Sequence, residues 1–252
     1  MCGRYASSKS SDDLIEEFEV EESRVAEPLA PDYNVAPTKE VYAVMARPPS
    51  SDKSAPPQRQ LRVLRWGLVP SWAKDAAIGN KMINARMETV AEKPSFRRAF
   101  ASRRCLLPAD GYFEWYPTSA KTKAGKPVKQ PFFIRPKDGG SLAMAGLYEI
   151  WRDKSIEDED EPGAFRWTCT VLTTDAEDDL GKIHDRMPLM VPPERWQRWL
   201  DPTKAEKDDL LALLEPAAPG RLEAFPVSKL VSNVRNNGPE LVEPLPLEEA
   251  DL

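Results

Sequence analysis

Cys2 directly follows the initiator methionine, and no other position of the chain offers the same pair of nucleophiles. A small second residue lets the initiator be removed. Removal is expected to leave Cys2 with a free α-amine and a thiol on adjacent carbons. The amine ionises near ~7.7–8.0, so a useful fraction is neutral and nucleophilic at neutral pH, and the thiol ionises near ~8.5, lower beside positive charge. The alternative is an inert, frayed terminus, and the choice rests on what the remaining chain sets beside Cys2. Two other residues invite attention. Glu114 stands between Phe113 and Trp115 in an apolar run. It is either turned to solvent on the alternate face, which the sequence favours, or buried with a raised pKa. His184 is the only histidine, so a multi-histidine metal centre is excluded. Cys2, Cys105 and Cys169 are widely separated and show no CxxC spacing, which suggests neither a disulfide framework nor a zinc site. No metal and no other cofactor is expected.

The elements that must position these residues are short. Residues 4–7 read as a strand, and Ser10 to Val20 as a helix capped by Ser10, with Asp13 three residues on and Leu14, Ile15 and Phe18 as its apolar stripe. Pro31 to Thr38, with two prolines and Asn34, is a stiff loop. Val41 to Met45 and Leu61 to Leu64 read as strands, and Trp66 to Trp72 as a rigid aromatic turn. Phe96 to Phe100 suggests a short helix. Asp110-Gly111 signals a turn before the aromatic strand that holds Glu114, and Thr118 to Gln130 reads as a Lys-rich loop. Strands follow at Phe132 to Arg135, Leu142 to Trp151 and Trp167 to Thr173. Amphipathic helices are expected at Pro193 to Leu200 and Lys204 to Leu214. About ten short strands with few helices predict an α+β fold, built as a curved mixed or antiparallel sheet or a distorted β-barrel with peripheral helices. One domain is expected over residues 1–240, with mobile insertions near 48–57 and 153–163. Residues 241–252 read as an acidic, disordered tail.

The 252 residues carry a net charge of −6, but unevenly. From Arg59 to Arg135 there are sixteen Lys/Arg against five Asp/Glu. A basic middle inside an acidic protein points to a polyanionic partner or to a solvated basic surface. No apolar run approaches the ~18 residues of a membrane helix. The start of the chain lacks a secretory apolar core, and a cysteine in place of glycine after the initiator excludes N-myristoylation. A soluble intracellular protein is expected, nuclear in a eukaryote and otherwise in the cytoplasm or nucleoid.

Eight blocks then occur in order: MCGRY at Met1, YNVAPT at Tyr33, WGLVPSWA at Trp66, INAR at Ile83, GYFEW at Gly111, HDRMP at His184, and the late VSKLV and RNNGPELVEP. Together they resemble the SRAP family, the SOS response-associated peptidase domain that includes abasic-site sensors of the HMCES type. The resemblance implies binding of abasic sites in single-stranded DNA, chiefly near single-strand/double-strand junctions, and a covalent DNA–protein crosslink. It implies Cys2 as the nucleophile, with Asn84, Glu114 and His184 as the other active-site positions. Arg4, Arg86 and Arg186 are then phosphate-contact candidates, with a structural ion pair as the alternative for Arg186. Asn34, Pro37 and Trp72 match rim positions that would stack on bases, with core packing as the alternative for Trp72. Arg97, Arg98, Arg103, Arg104 and the Lys121–Lys129 loop are further candidates for non-specific contacts. A monomer is expected. Competing readings are a self-processing cysteine peptidase, an N-terminal-cysteine glutamine amidotransferase, and a non-covalent reader of modified cytosine.

Overall fold

The structure is a computed structural model that describes residues 2–252 except 50, 177, 215–219, 247, 249, 251 and 252. Met1, whose removal the sequence reading requires, and parts of the expected insertion and tail therefore lie outside the described residues. In chain order the strands are β1 (Tyr5–Ser7), β2 (Glu22–Ser23), β3 (Asp32–Val35), β4 (Glu40–Arg47), β5 (Gln58–Trp66), β6 (Asn84–Arg86) and β7 (Arg104–Ala109). They continue with β8 (Gly111–Lys121), β9 (Pro127–Pro136), β10 (Leu142–Arg152), β11 (Phe165–Asp175), β12 (Arg186–Pro188) and β13 (Leu222–Pro226). The α-helices are α1 (Ser11–Glu17), α2 (Met87–Val90), α3 (Arg97–Ser102), α4 (Trp196–Leu200) and α5 (Lys207–Leu211). None is long and apolar enough to cross a membrane.

Five strands close on themselves. β5 pairs with β4, β4 with β7, β7 with β10 and β10 with β11, all antiparallel. β11 then returns to β5 in parallel, with Thr168 opposite Arg65 and Cys169 opposite Trp66. The result is the expected α+β architecture with a distorted, mixed barrel. Alternation along the strands separates two cores. Val41, Ala43, Met45, Cys105, Leu107, Met144, Cys169 and Val171 share one cluster with Cys2, Tyr5, Tyr112 and Ile134. Their neighbours Tyr42, Val44, Leu106, Ala143, Ala145 and Leu172 point the other way, against Leu14, Phe18, Phe100, Trp196 and Trp199 of the helical segments. A second sheet, in the order β13-β9-β8-β1-β3, lays one face over the barrel-side cluster. Its other face buries Phe113, Phe133, Val227, Val231 and Leu241.

Local signals explain most elements. Ser10 caps α1 in a full capping box with Asp13. Arg104 is buried, and its guanidinium donates to the carbonyls of Phe100, Ala101, Trp199, Asp201 and Lys204, tying the ends of α3 and α4 to β7. It is a structural residue and not a surface contact for nucleic acid. The Lys-rich stretch expected as a loop is instead the outer part of a β8–β9 hairpin, paired out to Lys121 and Pro127. Gly111 is required for close packing: a Cβ there would fall 2.4 Å from the Phe133 ring and 2.6 Å from the Ile134 carbonyl oxygen. The start of the acidic tail is tied to the body. Leu241 is buried, and the Leu245 N–H donates to the Pro226 carbonyl at 2.8 Å.

Candidate active site

The site is built where β1 runs beside β8. Tyr5 pairs with Tyr112, and the Phe113 N–H donates to the Arg4 carbonyl at 2.9 Å. Continuing that antiparallel register sets Gly3 opposite Glu114. Tyr112 and Glu114 are two residues apart, so they share the face turned toward Cys2, while Phe113 and Trp115 face the other core. Glu114 is therefore 4% exposed. The sequence preference for an exposed Glu114 is wrong, because the apolar run is covered on both faces.

Burial has the expected electrostatic result. It pushes the Glu114 carboxyl up to about 7, and the nearby charge of Asp185 adds to the shift. It also pushes the Cys2 thiol up, with the Glu114 charge contributing in the same direction. The same two groups act on Tyr112, whose phenol is raised by burial and then by Cys2 and Glu114. Tyr112 thus lines the site although the sequence reading passed it over. Its position two residues before Glu114 on a strand is the signal that would have found it.

Asn84 stands at the start of β6, which pairs in parallel with β11 so that Asn84 lies beside Val171. Its Nδ2 donates to the Cys2 carbonyl at 2.7 Å. Its Oδ1 is buried with no hydrogen-bond partner among the described residues, which leaves an acceptor beside Cys2. His184 closes the other side, with Nε2 at 3.8 Å from Glu114 Oε2. Its Nδ1 accepts the Arg186 backbone N–H at 3.0 Å. Asp185 Oδ1 lies 3.0 Å from the same Nδ1, so Nδ1 meets one donor and one acceptor, and the neutral ring fits with its hydrogen on either nitrogen. Burial lowers the His184 pKa, which favours this neutral form. The structure thus brings Cys2, Asn84, Glu114 and His184 together from four separate segments.

The other candidates divide. Trp72 is 54% exposed at the end of the turn that follows Trp66. Gly67 sets that turn with φ +128°, and a Cβ there would meet the Gly79 carbonyl oxygen at 2.6 Å. Arg86 is exposed and Pro37 half-buried. Arg4 is half-buried; its Nη1 donates to Asn34 Oδ1 at 2.7 Å and to the Val231 carbonyl at 2.8 Å, and its guanidinium lies 5.6 Å from the Trp115 ring centre. Two expectations need correction. Asn34 is fully buried and cannot stack on a base. Its Nδ2 donates to the carbonyls of Val231, Asn233 and Asn236, so it ties the 231–236 loop to Arg4. Arg186 is 7% exposed and bonded to Glu88, Asp175 and Thr173. It serves as an ion-pair anchor under His184, not as a phosphate ligand. Ser232, just after the late VSKLV block, accepts from Trp115 Nε1 at 3.1 Å and packs that loop on the outer face of β8.

The geometry defines a class: a buried cysteine beside a carboxyl–imidazole pair able to move protons, on a small closed barrel. The family described as SOS response associated peptidase (SRAP) matches residues 1–234, and the chain belongs to that family. Its relatives include the abasic site processing protein YoqW of Bacillus subtilis (strain 168), 41% identical over 96% of this chain and 99% of that protein. The abasic site processing protein YedK of Escherichia coli (strain K12) is 34% identical over 97% of this chain and 100% of that one. A crystal structure of a protein from Bacteroides thetaiotaomicron matches with TM-score 0.77 and 27% identity, covering 97% of this chain and all, 100%, of that one.

Proposed function

We propose that this chain processes abasic sites in DNA by forming a covalent crosslink through Cys2 once Met1 has been removed. The observation that supports this most is the convergence of Cys2 with a Glu114 carboxyl raised to about 7 and a His184 ring 3.8 Å from it. Relatives aligned over nearly the full length of the chain bear the name abasic site processing protein.

The chemistry follows from the groups. The open form of an abasic deoxyribose is an aldehyde. The Cys2 amine adds to it, giving a carbinolamine, which loses water to give an imine. The Cys2 thiol then adds across the C=N bond, its proton passing to nitrogen, and closes a five-membered thiazolidine. One water is released in all, and nothing is oxidised or reduced. Two bonds from one residue to one carbon make an adduct that a simple imine is not. A carboxyl near neutrality can protonate the departing hydroxyl and take protons back in the reverse direction. The neutral His184 ring can hold the sugar oxygen or relay that proton. Asn84 fixes the Cys2 carbonyl and leaves Oδ1 to orient the amine. Arg4, Arg86 and Trp72 are the groups for phosphates and unstacked bases in single strands or at a junction.

The test is a crosslinking assay on single-stranded DNA with one abasic site, using protein whose mass shows that Met1 is absent. A heat-stable, slower-migrating species is expected with the parent. Cys2→Ala, Cys2→Ser and an N-terminally blocked form should lose it. A blocked form that crosslinks normally would remove the amine, and with it the thiazolidine. Release of a peptide without any DNA adduct would favour the peptidase reading instead.

A further inference from the structure

Arg47 and Arg62 form a second charged site, away from Cys2. Both lie on barrel strands, and both guanidiniums gather on one indole: Arg62 is 4.3 Å and Arg47 5.2 Å from the Trp167 ring centre. Tyr148 stacks on the same indole at 5.9 Å, with planes 16° apart. The arginines are held in place by neutral groups. Arg62 Nε and Nη2 donate to Gln60 Oε1 at 3.1 and 3.0 Å, and Arg47 Nη1 donates to the Tyr148 hydroxyl at 3.2 Å. Neither has a carboxylate within salt-bridge distance among the described residues. Arg24 adds to the positive field, and its partner Glu22 offsets part of it through Gln60, whose Nε2 donates to Glu22 Oε2 at 2.7 Å. Burial first, and then the Arg47 and Arg24 charges, lower the Arg62 pKa.

Keeping two guanidiniums close and partly desolvated, with no carboxylate paired directly to either among the described residues, is unfavourable unless an anion visits. Each guanidinium has five N–H donors in a planar fork. With two of Arg62's and one of Arg47's engaged, enough remain to embrace one tetrahedral oxyanion. Trp167 is covered by Tyr148 and Arg62, so the site offers charge and donors and no free stacking face. It also lies away from the reaction. Trp66, which packs on Tyr5 at 5.1 Å, is four residues along β5 from Arg62, and Val41 is six along β4 from Arg47. At ~3.3 Å per residue that separation is roughly 13–20 Å.

We propose that Arg47 and Arg62 form an anion site for a phosphate group, supplied either by the backbone of bound DNA or by a free oligophosphate. Calorimetric titration with pyrophosphate, and separately with an unmodified ten-nucleotide single strand, tests this at fixed ionic strength. The parent should bind at least one of them in a manner that Arg47→Gln/Arg62→Gln weakens tenfold or more. Arg65→Gln, on the same strand and bonded to Asn80, should leave it unchanged. Loss for the oligonucleotide assigns the site to DNA, and loss for pyrophosphate alone assigns it to a free anion. Equal binding of both probes by parent and double variant overturns the proposal. A readout on the parent alone guards against a misfolded variant: at least one of the two probes should raise its melting temperature above that in chloride of equal ionic strength, and no rise with either would equally overturn the site. Crosslinking to an abasic strand by the double variant reports separately on the Cys2 chemistry.

Discussion

Glu114 illustrates what a single buried carboxyl imposes. Its ordinary value is 4.5, and burial carries it to about 7. Across that interval the folded protein binds more protons than the unfolded one, so stability falls as pH rises from about 4.5 to about 7 and stays reduced above it. The interval corresponds to on the order of 3 kcal/mol. Glu114→Gln cannot ionise. It should match the parent near pH 4 and exceed it in stability near pH 8 by up to that amount, as measured by urea unfolding. An equal gap at both pH values would show that another group titrates. The same value shapes the kinetics. Loss of water from the carbinolamine uses the protonated acid, and addition uses the neutral amine, whose reference value is near ~7.7. The crosslinking rate should therefore peak just above neutrality and fall on both sides. Glu114→Gln should slow formation and reversal alike by about 100-fold or more. Unchanged rates in single-turnover assays would remove Glu114 from the proton path.

At the scale of elements, the site depends on a strap. Asn34 in β3 holds the 231–236 loop through three carbonyls and holds Arg4 through its own oxygen. Asn34→Ala leaves those carbonyls and one guanidinium N–H without their partner, at about 1–3 kcal/mol for each group that stays buried and unsatisfied. For a chain of this size each kcal/mol lowers Tm by about 2–4 °C, so calorimetry should show a fall of several degrees. Crosslinking should slow as well, because Arg4 and the Trp115–Ser232 contact lose their anchor; an unchanged Tm would mean that the loop holds itself. None of this was legible in the sequence, where Asn34 reads as a loop residue, because its partners lie about two hundred positions away. The barrel was legible: the buried apolar run of β4, the alternation in β5 and the β-branched residues of β11 mark them as strands. The β8–β9 extension was not, since its exposed Lys and Thr residues carry no apolar signal and backbone pairing alone makes them a hairpin. Glu114 was misjudged for a related reason. Alternation predicts a free face only where a sheet has one, and here the barrel covers it.

Over the whole molecule, the basic middle is less available than its composition suggests. Arg104 is buried, Arg59 pairs with Glu19, Arg103 with Glu149 and Arg135 with Glu223. Arg62 sits over Trp167 in the second site. From Trp72 to the end of β6, Lys74, Lys81 and Arg86 are exposed, and Arg4 is half-buried two residues after Cys2. Each phosphate contact on a single strand adds about −0.7 to the slope of log K against log salt. Four such groups predict a slope of about −3, or about −4 where Arg47 and Arg62 also hold the strand, far shallower than sixteen basic residues would give. Arg86→Ala should reduce the magnitude of that slope by about 0.7 and weaken binding similarly on all sequences. Arg186→Ala should leave the slope unchanged and lower Tm, since its guanidinium is spent on Glu88, Asp175 and Thr173. Fluorescence anisotropy of a labelled strand across a salt series measures both slopes. A drop in slope with Arg186→Ala at unchanged Tm would return Arg186 to the DNA surface and show that its ion pairs open when DNA arrives.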